Sequence, residues 1–296
     1  MTWYNSTMFK KIVIFGVGLI GGSVALSLKK QAIIPQVVGV GRSGQSLQEA
    51  LKLGLIDVAE TDVAHAMQDA DLVLIAAPVA QTPAILRSIR PHLNAATIIT
   101  DAGSTKSDVM AYAKAELGDK FDQFVGGHPI AGAEKSGPAA AMADLYIGKN
   151  VILTPDADTQ STAIDKVTAL WQQCGAMVSR MSPQEHDSVF AAVSHLPHLL
   201  AFALVEDLAK RDNAELLFKF AASGFRDFTR IAGSHPEMWR DIALANKTAL
   251  LGELKLYQQA LSEMTALLEK ADADGLQTLF EHASRARNDW AKTKIQ

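Results

Sequence analysis

The sequence predicts a Rossmann-type α/β domain on a mostly parallel, doubly covered sheet, followed by an all-α domain. Three observations predict it. Gly16-Val17-Gly18-Leu19-Ile20-Gly21 lies between an apolar run at 11–15 and a helical segment at 23–30. Short apolar runs alternate with helix-period segments through the first 180 residues, as in βαβ units. After Ser182-Pro183 strand candidates become few and long helical patterns take over.

In chain order, the strand candidates are 11–15, 36–40, 71–75, 97–100, 123–127, 149–154 and 176–180. Leu72-Val73-Leu74-Ile75 is apolar without alternation, which suits a strand buried on both faces. Helical periods fill 80–90, 104–116 and 157–173. Ser182 is a cap candidate with Pro183 in the first turn of the next helix. Helices are then expected over 184–210, 236–268 and 273–292. Leu250, Leu251, Leu254, Tyr257 and Leu261 recur at helical spacing and read as a core or subunit-packing stripe. The expected division is a dinucleotide-binding domain over 1–180 and a helical substrate-binding and dimerisation domain over 181–296.

Composition narrows the function classes. The chain has 296 residues, 48% of them hydrophobic, and a net charge of −4, which gives no footprint for a nucleic-acid partner. Its one cysteine, Cys174, allows neither an internal disulfide nor a cysteine metal cluster. His195 and His198 are three apart, but Pro197 separates them and only His186 offers a further ligand, so no metal is expected. No apolar run approaches the ~18 residues of a membrane span. The segment 1–7 lacks the basic and apolar regions of a signal peptide, so the expectation is a cytoplasmic protein without a membrane partner.

The glycine motif carries the cofactor chemistry. Gly16 permits a sharp turn, Gly18 lets backbone approach a pyrophosphate, and Gly21 lets helix and strand pack closely. The helix that follows turns unpaired N–H groups and its positive end toward the phosphates, and Leu19 and Ile20 of the motif are counted with the glycines as cofactor-binding candidates. NAD-binding units usually carry an acid for the ribose about 20 residues past the glycines. Gly41 stands there, followed by Arg42 and Ser43, a pair suited to a 2′-phosphate. NADP is therefore expected, with NAD as the alternative. Ala77 and Pro78 end the 71–75 strand where such sheets line the cofactor crevice.

Three further segments hold candidate chemistry. Asp101-Ala102-Gly103-Ser104-Thr105-Lys106 follows a strand, and Ser104 or Thr105 is a helix-cap candidate whose hydroxyl also reaches a crevice position. Gly126-Gly127-His128-Pro129 sets a titratable ring at a glycine-rich strand end, with Glu134 shortly after. Gly224-Phe225-Arg226-Asp227-Phe228-Thr229-Arg230 and Met238-Trp239-Arg240-Asp241 supply arginines, the side chains best suited to grip carboxylates.

These segments together resemble the prephenate/arogenate dehydrogenases of tyrosine biosynthesis. The resemblance rests on GVGLIGGS at 16–23, DAGSTK at 101–106, GGHPIAGAEKSG at 126–137, HDSVFAAVSHLPH at 186–198, and GFRDFTRIA with HPEMWRDIALANK within 224–247. It covers about residues 10–260. It implies oxidative decarboxylation of prephenate or arogenate with hydride transfer to NAD(P). His128 would assist deprotonation of the ring hydroxyl, with Ser104 beside it. Glu134 would shape and gate the substrate pocket. His198 and Trp239 would line it, and Arg230 would hold a substrate carboxylate. The helical domain would form a homodimer. No chorismate mutase segment is expected ahead of the glycine motif, and little chain remains for a regulatory ACT domain. Two alternatives stay open: a β-hydroxyacid dehydrogenase using a lysine such as Lys247, and a non-catalytic NADP-binding sensor.

Overall fold

The computed structural model describes residues 8–31, 35–41, 43–132 and 135–293. Arg42 and Glu134 lie outside the described residues. Among the described residues eight strands form one sheet: β1 (Lys11–Phe15), β2 (Gln36–Val40), β3 (Val58–Glu60), β4 (Leu72–Ile75), β5 (Ile98–Asp101), β6 (Phe124–Pro129), β7 (Asn150–Thr154) and β8 (Met177–Arg180). Their spatial order is β3-β2-β1-β4-β5-β6-β7-β8. Pairing is parallel from β3 through β6, and β7 runs antiparallel to β6 and parallel to β8. The sheet is thus mostly parallel, and its strand order reverses between β1 and β4.

Among the strands lie α1 (Leu19–Lys30), α2 (Gly44–Lys52), α3 (Val63–Met67), α4 (Thr82–Ile89), α5 (Ser107–Leu117) and α6 (Ser161–Gln173). They cover both faces, giving one buried cluster around Ile12, Ile14, Leu72, Leu74 and Trp171, and another around Val13, Val73, Ile75, Leu86 and Phe124. Consecutive residues of β1 and β4 belong to opposite clusters, because side chains alternate across a strand. That is why these strands read as unbroken apolar runs.

A helical part follows: α7 (Pro183–Phe190), α8 (Leu196–Ala209), α9 (Ala214–Lys219), α10 (Ser223–Thr229), α11 (Pro236–Ala245), α12 (Lys247–Glu269) and α13 (Ala273–Lys292). By its contacts the chain forms two compact units, Met1–Lys247 and Thr248–Gln296. In the second unit α12 and α13 leave Leu256, Leu268, Phe280 and Trp290 exposed.

Several expectations are corrected. The first helix begins at Leu19 rather than 23, so the glycine turn runs directly into it. The short β3 and α3 have no apolar run to announce them; α3 is held by the Asp62 carboxylate, which accepts from Ala64 N at 2.8 Å. Neither Ser104 nor Thr105 caps a helix, because α5 begins only at Ser107 and its capping position is Lys106. The expected helix 236–268 is interrupted at Asn246, between α11 and α12.

The helical stretch Pro183–Ala209, in which a π turn (Ala191–His195) joins α7 to α8, is long and apolar enough to cross a membrane by length and composition, with a mean hydropathy of 1.7. That departs from the sequence expectation, since His186, Asp187, His195 and His198 interrupt any purely apolar run. The first three of these are buried and hydrogen-bonded within the protein.

Candidate active site

At the C-terminal end of β1 the chain turns through Gly16, whose φ of +93° lies in the left-handed region. A Cβ there would sit 2.6 Å from the Ala76 carbonyl oxygen and 2.8 Å from Ala77 N. The turn after β1 and the Ala77–Pro78 turn after β4 are therefore in direct contact. Gly21 is equally constrained, its Cβ position lying 2.5 Å from Gly16 O. Gly18 is different: among the described residues the nearest atom to a Cβ there is 4.0 Å away, so space is left in front of it. Gly18 caps α1 without a side-chain hydrogen bond, and no acid stands in the first turn. The first intrahelical bond is Gly22 N to Gly18 O, 2.9 Å. The N–H groups of Leu19, Ile20 and Gly21 precede it, at the positive end of a helix dipole. This cradle lies where the strand order reverses, and its donors fit the pyrophosphate of a dinucleotide.

At the end of β2, a Cβ on Gly41 would meet Leu47 at 3.5 Å, an ordinary contact, so packing does not exclude an acid at that position. Ser43 caps α2, its Oγ accepting from Ser46 N at 3.3 Å.

The second cluster is built from β5, β6 and the helices after Ser182. The Asp101 carboxylate, at the end of β5, receives Gly103 N at 2.8 Å and Gly127 N at 2.9 Å. It forms an ion pair with the Lys106 ammonium, which also donates to Gly127 O at 2.8 Å. Both residues are almost fully buried. Lys106 thereby ties the ends of β5 and β6 together, just before His128.

His128 is buried, with Nδ1 2.8 Å from His186 Nε2. His186 Nδ1 is 2.9 Å from the Asp187 carboxylate. Asp187 also receives the N–H groups of Lys106 and Ser107, each at 2.8 Å. The cap of α5 thus comes from another helix, and its carboxylate suits the positive helix end. Asn246, at the break between α11 and α12, donates to the Asp187 carbonyl at 2.8 Å and to His195 Nδ1 at 3.1 Å. His198 stacks on Trp239, with ring centroids 3.6 Å apart and planes inclined by 19°, and donates from Nδ1 to Ser194 O at 2.9 Å. Trp239 is buried, and among the described residues its Nε1 has no hydrogen-bond partner.

His195 also meets Trp239 edge to face, with ring centroids 6.0 Å apart, so among the residues singled out in the sequence His128 is linked to Trp239 and His198 through His186, Asp187, Asn246 and His195. Arg230, exposed in the turn Arg230–Gly233, acts electrostatically on His198. Ser104 lies half-buried in the Ala102–Lys106 connection. Lys247, the lysine of the alternative reading, is exposed. Sequence reasoning missed the roles of Asp101, Lys106, Asp187 and Asn246. Two signals stood in the sequence: an acid closing the apolar run 98–101, and a lysine five residues later.

Burial pushes all four histidines toward the neutral form. For His128 the effect is large, reinforced by His186, Lys106 and His195. Burial likewise lowers His186 and His198. Burial, with His186 nearby, brings His195 down to about 4. Burial alone would raise Asp187, but hydrogen bonds from His186, Ser107 and Lys106 hold it below the usual carboxylate range.

A stability prediction follows with a definite sign. Between the lowered folded value and the ordinary value near 6.5, the unfolded chain binds more protons, so stability falls as pH drops through that window. At about 1.36 kcal/mol per pH unit, His195 alone removes on the order of 3 kcal/mol between pH 6.5 and 4. The unfolding midpoint should be flat between pH 7 and 8 and fall steadily from pH 6.5 to 5. A midpoint unchanged over that interval would show that these rings charge freely in the fold.

Comparison with known proteins identifies the family. The family model for the nucleotide-binding domain of prephenate dehydrogenase matches residues 24–180, and that for its dimerization domain matches 182–282. The chain is 40% identical over 279 residues to prephenate dehydrogenase of Bacillus subtilis, covering 94% of this chain and 75% of that one. It is 35% identical over 283 residues to cyclohexadienyl dehydrogenase of Zymomonas mobilis, covering 95% and 96%. The crystal structure of prephenate dehydrogenase from A. aeolicus, in complex with hydroxyphenyl propionate and NAD+, superposes with a TM-score of 0.88 at 37% identity, covering 94% of this chain and 98% of that one. With an open dinucleotide cradle at one strand end and a buried histidine chain at another, the protein belongs to the prephenate dehydrogenase family of oxidoreductases.

Proposed function

We propose that the protein catalyses oxidative decarboxylation of prephenate or arogenate in tyrosine biosynthesis, with NADP preferred over NAD. The observation that carries the reading is His128: a buried, neutral imidazole at a strand end, bonded through Nδ1 to His186. A neutral ring at that place is a proton acceptor in waiting.

The substrate ring bears hydrogen and hydroxyl on carbon 4 and a carboxylate on carbon 1. When bound, the nicotinamide supplies the acceptor for the hydride from carbon 4. His128 takes the hydroxyl proton as carbonyl character develops. The bond to the carbon 1 carboxylate breaks, carbon dioxide leaves, and its electron pair makes the ring aromatic. His128 then returns its proton to the phenolate oxygen. Aromatisation drives the reaction, so the protein mainly orients groups and moves one proton.

Ser104 is assigned beside His128, and Glu134 to the pocket entrance. Arg230 would hold the side-chain carboxylate that the product keeps; a tight grip on the departing carboxylate would oppose its loss. His198 and Trp239 form a flat, stacked wall suited to a planar ring. Gly16, Gly18, Leu19, Ile20, Gly21, Ala77 and Pro78 are assigned to the cofactor, with Arg42 and Ser43 to its 2′-phosphate. We take 1–180 as the cofactor domain. The helical 181–296 is assigned to substrate binding and to a homodimer, in which exposed side chains such as Leu256, Phe280 and Trp290 would be covered. The reaction is assigned to the cytoplasm.

Steady-state turnover of prephenate and arogenate with each cofactor tests this. Turnover of one of them is expected, with kcat/KM favouring NADP by roughly tenfold to a hundredfold, the worth of one charge-assisted hydrogen bond. A ratio favouring NAD would make Arg42 a surface cation. Absence of turnover with either substrate would overturn the reading.

A further inference from the structure

The hydrogen bonds behind His128 determine which of its nitrogens carries the proton. Asp187 is held as a carboxylate by the N–H groups of Lys106 and Ser107. A carboxylate only accepts, so the hydrogen in its 2.9 Å contact with His186 sits on His186 Nδ1. A neutral imidazole has one N–H, which leaves a lone pair on His186 Nε2. That lone pair lies 2.8 Å from His128 Nδ1. If His128 carried its hydrogen on Nε2 instead, two lone pairs would face each other at hydrogen-bond distance. Only the Nδ1–H form of His128 makes the contact favourable. Its Nε2 is then left with the lone pair, and among the described residues no hydrogen bond to that atom is present.

A doubly protonated His186 would satisfy the contact differently. The groups facing the pair argue against that form. The Lys106 ammonium, from the connection between β5 and α5, stands close enough to lower both rings. Asp101 is engaged by Lys106, and Asp187 by two backbone amides besides His186. From the π turn, His195 adds a further unfavourable charge if protonated. Phe190 packs against both rings, with centroid distances of 4.9 and 4.5 Å, and offers no charge. Asn246 holds the Asp187 backbone from the other side.

We propose that Asp187 and His186 are positioning residues that lock His128 in the Nδ1–H form, so that Nε2 is the atom that receives the substrate proton. The proposal rests on His128 being the proton acceptor. When that proton arrives, the resulting imidazolium keeps its Nδ1–H bond to His186, and the Asp187 carboxylate faces the chain from the far end. Asp187 itself stays ionised throughout, since the proton returns from His128 to the product oxygen.

The test reads the tautomer directly. With 15N-labelled histidine, the two ring nitrogens of a neutral imidazole give separate signals for N–H and lone pair. The His128 pair is assigned by its disappearance in His128→Asn. Wild type should show hydrogen on Nδ1. In His186→Leu, which removes the acceptor at similar size, His128 should move to the Nε2–H form, and kcat should fall about tenfold or more with KM little changed. His186→Gln, whose amide oxygen can accept the same bond, should restore part of the kcat.

Nε2–H in resting wild type would overturn the proposal whatever the variants do. So would a His186→Leu enzyme that switches tautomer yet keeps its kcat while His128→Asn loses it; in that case the base assignment survives alone. Full activity in His128→Asn would instead remove the base assignment. Should His186→Leu not fold, the wild-type spectrum and His186→Gln decide the question: Gln must keep the Nδ1–H form and measurable kcat.

Discussion

His128→Asn lowers kcat by about 10²-fold or more while the protein stays folded. Asparagine is close in size, and its amide can still hydrogen-bond to His186 Nε2, which lies 2.8 Å from His128 Nδ1. It has no lone pair basic enough to take the hydroxyl proton. A positioned general base typically contributes ~10²–10⁴ in rate, which sets the expected loss. KM should change far less, since the substrate carboxylate is assigned to Arg230. Lower kcat at near-constant KM means that the lost interaction belongs to the transition state. The measurement is steady-state kinetics beside an unfolding curve. Near-normal kcat in a well-folded variant would sink the assignment.

Lys106→Met is expected to destabilise the fold by about 3–5 kcal/mol, because it strips the partner from a buried carboxylate. The Asp101 carboxylate would keep the N–H groups of Gly103 and Gly127 but lose its ammonium. A domain's whole stability is ~5–15 kcal/mol, so a large share of the folded population is at stake. The same change frees Gly127 O, one residue before His128, so kcat should fall in whatever remains folded. Adding Asp101→Asn removes the stranded charge and should recover part of the stability. Urea titration of the single and double variants reads both effects. A single variant within 1 kcal/mol of wild type would mean that the pair does not hold these strand ends.

The two halves of the site were unequally legible. The glycine turn could be read because glycine has few uses. Gly16 and Gly21 stand where a Cβ would collide with backbone, and Gly18 stands before open space. Each requirement is local, within a strand, a turn and the first turn of a helix. The histidine cluster is not local. Asp187 serves α5 from 80 residues away, and Asn246 bonds Asp187 and His195 across 59 and 51 residues. Ser104 and Thr105 are good capping residues by type, yet the backbone turns too late for either to cap.

By itself the sequence determined the layered α/β architecture, the helical part after residue 181, the glycine turn after β1, and the segments that carry the histidines and arginines. Those follow from periodicity, from glycine's missing side chain and from residue order, all of which act over a few residues. Only the tertiary structure decided that Lys106 is a buried strut and no surface cation. Only the structure decided, too, that His186 and His195 face polar partners while His198 stacks on Trp239. Which side of a hydrogen bond a ring nitrogen occupies depends on what the rest of the chain brings within 3 Å of it. Burial then makes that choice binding, because a polar atom left unpaired away from water costs about 1–3 kcal/mol.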